Sequence, residues 1–186
     1  MLISWPKQGE KFRRAIEKDN FEEATEFWEY DGVLNYKALH VGRASTNPLL
    51  LAAENGSLNV FKALLASGAN PAEQTGKYAA RSPLKGPNVW DSGPNALHVA
   101  ACYGHLEILR IILEAGSDML QSKCAEGRTA LSYAAFSGHD DVFEFLLEQG
   151  ADVTAVDCNR NIVLHHAAWG GHCSFIKKVL EMRRCP

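Results

Sequence analysis

The chain has 186 residues, 46% of them hydrophobic, and a formal net charge of −3 with histidine neutral. No run approaches the ~20 apolar residues that a membrane span needs, and the start, Met1-Leu2-Ile3-Ser4-Trp5-Pro6-Lys7, lacks a signal-peptide pattern. Residues 95–153 carry nine acidic and three basic side chains, whereas residues 154–186 carry two and five. A nucleic-acid binder needs a basic stripe over several elements; an acidic middle repels phosphate instead. The five cysteines, Cys102, Cys124, Cys158, Cys173 and Cys185, are odd in number and widely spaced. They read as reduced thiols in a reducing compartment, so a cytoplasmic location is expected, with the nucleus as the alternative.

In chain order, the first recognisable pattern is weak. Phe12, Ala15 and Ile16 give one apolar face; Asp19-Asn20 breaks it; Phe21, Ala24, Phe27 and Trp28 give a second. The break lacks glycine, and Lys11, Arg13, Arg14, Glu17 and Lys18 crowd the first helix. A clearer pair follows. Leu49-Leu50-Leu51-Ala52-Ala53-Glu54-Asn55-Gly56 reads as a short helix stopped by glycine. Leu58, Val60, Leu64 and Leu65 then mark a second helix, which Gly68 ends.

The second half repeats this phrase three times. Ala96-Leu97-His98-Val99-Ala100-Ala101-Cys102-Tyr103-Gly104-His105 is followed by Ala130-Leu131-Ser132-Tyr133-Ala134-Ala135-Phe136-Ser137-Gly138-His139. Val163-Leu164-His165-His166-Ala167-Ala168-Trp169-Gly170-Gly171-His172 is the third. Their starts lie 34 and 33 residues apart. A fixed period of this size is the signature of stacked, identical-topology units. Each phrase is followed by a more amphipathic helix: Leu106–Leu113, then Val142, Phe145, Leu146 and Leu147, then Phe175, Ile176, Val179 and Leu180. The alanines allow close approach of neighbouring helices.

These phrases resemble the ankyrin repeat, whose pattern runs roughly G-x-T-P-L-H-x-A-A-x-x-G-H-x-x-x-V-x-x-L-L-x-x-G-A-D. The resemblance spans about residues 11–183, strongly in the third to fifth units, well in the second and faintly in the first. It implies an all-α solenoid of stacked helix-loop-helix units with projecting hairpin loops. The expected units are residues 9–46, 47–93, 94–126, 127–159 and 160–186, in one ankyrin-repeat domain. The atypical, charged first unit suits the end of a stack.

The chain departs from the pattern in three places. The Thr-Pro-Leu-His segment is imperfect everywhere. Asn47, Asn95 and Thr129 can each cap a helix N-terminus, whereas Ile162 cannot, which predicts a weaker fifth unit. Ala52 and Ala100 lie 48 residues apart, about 15 more than one period. The surplus falls in 71–93, where Pro71, Pro83, Pro87 and Gly76, Gly86, Gly93 rule out continuous helix or strand. A long projecting loop is expected there, with Lys77, Tyr78, Arg81, Lys85 and Trp90 as charged and aromatic anchors and Trp90 packed on the groove. A smaller surplus falls in 36–45. Finally, no dedicated cap follows the fifth unit. Either the basic residues Lys177, Lys178, Arg183 and Arg184 solvate that end, or the chain is part of a longer protein.

Catalytic and metal chemistry find little support. The sequence has no Gly-x-Ser-x-Gly elbow, phosphate loop or His-Glu-x-x-His. His98, His105, His139, His165 and His172 stand where the ankyrin pattern places histidine, and a role in fixing loops and helix starts is expected of them. His165, His166, His172, Cys173 and Cys158 match no standard zinc spacing. Asp140-Asp141 suit a helix N-terminus. No metal, no cofactor and no enzyme activity are expected.

The resemblance implies that two variable positions after each Ala-Ala pair face a concave groove. Here they are Glu54-Asn55, Cys102-Tyr103, Phe136-Ser137 and Trp169-Gly170. Tyr103, Phe136 and Trp169 then form an aromatic row, the residue class enriched at binding hot spots. The hairpin tips add Gln121, Ser122, Glu126 and Arg128, then Val156, Cys158, Asn159 and Asn161. The expected function is a non-enzymatic protein-interaction module that binds a protein or peptide through groove and loops, as a monomer or a subunit of a hetero-complex. The alternatives are a regulatory or targeting domain of a larger enzyme or channel, and a structural subunit of a large assembly.

Overall fold

A computed structural model describes residues 5–31, 39–41, 44–74, 80–81, 90–91 and 93–182. Its helices come in pairs: α1 (Trp5–Glu17) with α2 (Phe21–Asp31), α3 (Pro48–Asn55) with α4 (Leu58–Ala66), α5 (Ala96–Tyr103) with α6 (Leu106–Ala115), α7 (Ala130–Ser137) with α8 (Asp140–Glu148), and α9 (Val163–Gly170) with α10 (Cys173–Met182). The inner helices α1, α3, α5, α7 and α9 each pack on the next, and α4, α6 and α8 form the outer row. Two short antiparallel ladders are added: β1 (Leu39–Val41) with β2 (Ala44–Thr46), and β3 (Ala80–Arg81) with β4 (Trp90–Asp91).

Inner helices of eight residues are too short to be stable alone, so packing holds them. Ala52, Ala53, Ala100, Ala101, Ala134 and Ala135 are fully buried. With only a methyl group at each, neighbouring inner helices approach without voids. Phe61, Phe143 and Phe175 fill the space between the two rows, with the Phe143 and Phe175 rings 4.5 Å apart.

Local signals set the helix ends. Asn47 Oδ1 accepts from Leu50 N at 2.7 Å, and Pro48 takes the first helical position, where no amide donor is needed. Asn95 Oδ1 accepts from His98 N at 3.2 Å, while His98 Nδ1 accepts from Asn95 N at 3.3 Å. His98 Nε2 donates to the Ser122 carbonyl at 3.0 Å, so the same ring also fixes the following hairpin. Thr129 does not cap as expected; its hydroxyl faces Ser132 Oγ at 3.3 Å. Ile162 has no acceptor to offer, and there His165 Nδ1 accepts from the Ile162 amide at 3.1 Å.

A backbone device joins successive units. Gly104 ends α5 at φ +78, in the left-handed region, and a Cβ there would stand 2.6 Å from Nδ1 of the His139 ring. His139 Nε2 donates to the Cys102 carbonyl at 3.0 Å, and one unit earlier His105 Nε2 donates to the Glu54 carbonyl at 3.0 Å. The His172 ring covers Gly138 in the same way. The first junction is built differently. Asp19, at φ +50, accepts from Val60 N at 2.9 Å and from Asn59 Nδ2 at 2.9 Å. Ser57 Oγ donates to the Ile16 carbonyl at 2.5 Å. The Ser57 hydroxyl, at the position of His105 in the next unit, thus replaces the histidine donor, and Asp19 takes the left-handed position that glycine holds elsewhere. Phe12, Ala15, Ile16 and Ala24 are buried as the pattern implies, but Phe21 is exposed because it opens α2 on the outer side.

The insertion is rooted at both ends. The Pro71 carbonyl accepts from Ala96 N at 3.2 Å, and Gln74 Nε2 donates to the Lys123 carbonyl at 2.9 Å. Ala80 pairs with Asp91 and Arg81 with Trp90. The segment therefore includes a short ladder. Tyr78, Lys77 and Lys85 lie outside the described residues, as do the side chains of Arg81 and Trp90, including the expected packing of Trp90 on the groove. So do Arg183 and Arg184. Lys178 is not spent on solvating the end: its ammonium bonds Asp140 at 3.1 Å and also Glu144.

Replacing Gly104 with Ala adds a Cβ against the His139 ring and strains a left-handed residue. The expected loss is about 1–3 kcal/mol, read as a lower denaturant midpoint at unchanged m-value.

Candidate functional site

The residues after each Ala-Ala pair, expected to line a groove, are treated unequally by the structure. Trp169 is 57% exposed, its ring held edge-on against the His166 ring at 5.2 Å and 85°. Phe136, at the matching position one unit earlier, is half-buried. Its carbonyl lies so close to Gly170 that a side chain there would collide with it. Cys102, at the same position again, is only 7% exposed. Ser137 Oγ reaches its sulfur at 3.8 Å, so Cys102 offers little surface to a partner, contrary to expectation.

Tyr103 does not extend the aromatic row. It follows Cys102 and so sits one position later in its unit than Phe136 and Trp169 do in theirs. Its ring stacks on His105 at 6.5 Å and 7°, and its hydroxyl donates to Glu54 Oε1 at 3.0 Å. These positions therefore run from a polar Glu54–Tyr103 pair through Phe136 to the exposed, apolar Trp169. Asn55 is exposed, with Nδ2 donating to the Leu51 carbonyl at 2.9 Å.

Among the hairpin candidates, Arg128 is corrected. It is 5% exposed. Its carbonyl accepts from Cys124 N at 2.9 Å, which places it at the buried base of the hairpin and not at its tip. Gln121 links two hairpins by donating to the Gly150 carbonyl at 2.9 Å and accepting from Asp152 N at 3.3 Å. Ser122, Glu126 and Asn161 are half-buried. Val156, Cys158 and Asn159 are exposed at the next tip.

That tip is shaped by Asp157, which sequence reasoning passed over. Asp157 Oδ1 accepts from Asn159 N and Asn161 N, each at 2.8 Å, and Oδ2 accepts from Asn161 Nδ2 at 3.1 Å. His166 Nε2, fully buried, lies 3.4 Å from Oδ2. Burial alone would push the carboxyl up. The bonds from Asn161 and Asn159, with the His166 charge, instead hold it below the usual carboxylate range. The signal was legible: Asp157-Cys158-Asn159-Arg160-Asn161 is a short polar run of the kind that folds an aspartate back onto amides two and four residues on. Arg160 sits at φ +63, where the preceding hairpin has Gly127 at φ +77.

The histidines considered for zinc are spread over other duties. His165 accepts from Ile162 N, His166 faces Asp157, and His172 covers Gly138. Among the described residues no group of three or more His, Cys, Asp or Glu is placed to hold a metal ion. No described helix is long and apolar enough to cross a membrane.

Asp157 has a depressed folded pKa, so its contribution is present above the unfolded value near ~3.9 and fades as pH falls through the folded one. Asp157→Ala removes the acceptor of two part-buried amides, those of Asn159 and Asn161, and is expected to cost about 1–3 kcal/mol at pH 7. In urea melts the gap between wild type and variant should narrow steadily as pH drops below 4.

A search of the curated proteins returned no match. A family model described as ankyrin repeats, in three copies, matches residues 49–157. That span runs from α3 to the Asp157 hairpin and takes in the paired short helices, the glycine-histidine junctions and the projecting hairpins described above. The chain belongs to the ankyrin repeat family.

Proposed function

We propose that the protein is a non-enzymatic interaction module that binds an extended segment of another protein along its groove, with Trp169 as the chief anchor. Ankyrin repeats generally serve as protein–protein interaction modules. The observation that carries the finer reading is the exposure of Trp169 on an inner helix, where the matching residues Phe136 and Cys102 are half-buried and buried. A large ring held by His166 and free on its other side buries much area at little entropic cost. Phe136 extends the apolar floor. Glu54, already bonded to Tyr103, gives the opposite end a carboxylate that favours a donor or cationic side chain on the partner.

Two further features support a binding role over catalysis. The groove's titratable groups have structural partners: Glu54 meets Tyr103, and His105 and His139 meet backbone carbonyls. Cys102, Cys124, Cys158 and Cys173 form no disulfide among the described residues, in keeping with the cytoplasmic or nuclear setting we propose. Asn159 and Val156, exposed on the hairpin leading into the Trp169 unit, supply the rim.

The test is capture of partners from the native cell by wild type and by folded groove variants. Trp169→Ala is expected to weaken binding by about 2 kcal/mol or more, some 30-fold. Phe136→Ala should cost less, and Tyr103→Phe should shift selectivity at the Glu54 end. Undiminished capture by Tyr103→Ala/Phe136→Ala/Trp169→Ala with an unchanged circular dichroism spectrum sinks the groove reading.

A further inference from the structure

The proposed anchor stands beside a buried pair of ionisable groups. His166 is fully buried and Asp157 is 6% exposed, with Nε2 3.4 Å from Oδ2. The same imidazole meets the Trp169 ring at 5.2 Å and 85°. One ring therefore touches both the carboxylate that shapes the hairpin and the exposed indole.

The preceding unit builds this place without charge. Cys124 and Tyr133, each 33 residues earlier, hold the positions of Asp157 and His166 and are likewise buried. The Tyr133 hydroxyl donates to the Cys124 sulfur at 3.6 Å. That sulfur also accepts from the backbone of Glu126 and Arg128, the counterparts of the Asn159 and Asn161 amides that Asp157 holds. Burial pushes the Cys124 thiol up, so the earlier pair stays neutral. A buried ion pair is often no more stabilising than a well-packed neutral replacement. Tying hairpin to inner helix thus does not require one. What the later pair adds is a proton that leaves near neutral pH, where histidine changes charge.

We propose that His166 is a positioning residue for Trp169, and that a proton on its imidazole, held by Asp157, decides how firmly the indole is placed. Asp157 is ionised throughout the range in which histidine titrates, because the Asn161 and Asn159 bonds hold it below the usual carboxylate range. A charged imidazolium bonds that carboxylate roughly twice as strongly as a neutral ring does. As pH rises the proton leaves, the imidazole loosens, and Trp169 loosens with it. Other charges nearby are engaged or outward. On α7, which packs on α9, Tyr133 turns to Cys124; on α10, Lys178 meets Asp140 and Glu144, and His172 covers Gly138. Lys177, Glu181, His165 on α9 itself and Arg160 in the hairpin are exposed. The preceding hairpin carries the buried Arg128 and the half-buried Glu126. The consequence for binding, a firmer anchor at mildly acidic pH, rests on the reading of Trp169 as anchor. The placement of the ring is tested with no partner present, so the two can fail separately.

The experiment follows the Trp169 indole and His166 ring resonances of the full chain by NMR between about pH 5 and 8. Trp169→Phe assigns the indole peak. Both rings should shift with one shared midpoint, and the nuclear Overhauser effect between them should be lost on the alkaline side. Asp157→Asn keeps the oxygen that accepts from the hairpin amides but removes the charge, and should lower the shared midpoint by about one pH unit or more. Asp157→Cys/His166→Tyr transplants the neutral pair of the preceding unit; the protein should stay folded while the indole peak becomes indifferent to pH. An indole peak in the wild type that does not follow the His166 midpoint overturns the proposal. So does one that titrates unchanged in either variant.

Discussion

The structure depends on one repeated contact: a histidine ring lying over a left-handed glycine of the unit before it and donating to a carbonyl just upstream. The contact needs both partners. Only glycine admits the ring at that distance, and only a ring of that size reaches the carbonyl while closing the turn. The buried alanines on the inner helices follow from the same constraint, because they set how near successive helices come. Each unit therefore contacts its neighbours and little else, which makes stability a sum of local junction terms. The Asp19 and Ser57 arrangement shows that the first junction meets the same need with a carboxylate and a hydroxyl.

This arithmetic of junctions also separates scaffold from function. Positions occupied by Ala, Leu, Gly and His inside the stack are largely consumed by packing of one unit on the next. What varies is left to face solvent, and there the chain is uneven. Cys102 is small and covered, Tyr103 turns back to Glu54, and Trp169 stands open. On the proposed reading, a groove graded in this way would discriminate along its length: a wrong partner at the Glu54 end would leave a polar group unsatisfied, and the Trp169 end would contribute area.

The helix pairs, their order and their glycine stops were legible because period, glycine and alanine are local signals with one physical reading. The caps at Asn47 and Asn95 were legible for the same reason. Other features needed coordinates. Arg128 looked like a tip residue because charge usually means exposure, yet the hairpin turns it inward at its base. Tyr103 looked like part of an aromatic row, but one residue of offset on a helix is about 100° of rotation, enough to aim it at the preceding unit. Asp157 went unnoticed although its spacing to Asn159 and Asn161 carried the message. The bonds between Gln121, Gly150 and Asp152 span 29 and 31 residues and have no sequence signature.

The ladder at the root of the insertion has a further consequence. Pairing Ala80–Arg81 with Trp90–Asp91 fixes the two chain ends close together before the rest of the segment begins. The free energy of closing a loop then grows only with the logarithm of its length, about 0.6 kcal/mol per doubling. Residues between the two strands can lengthen, shorten or change identity while the helix pairs on either side keep their spacing. The chain thus holds a region where new recognition can be tried at almost no thermodynamic risk, inserted between two units whose own sequences are tightly constrained.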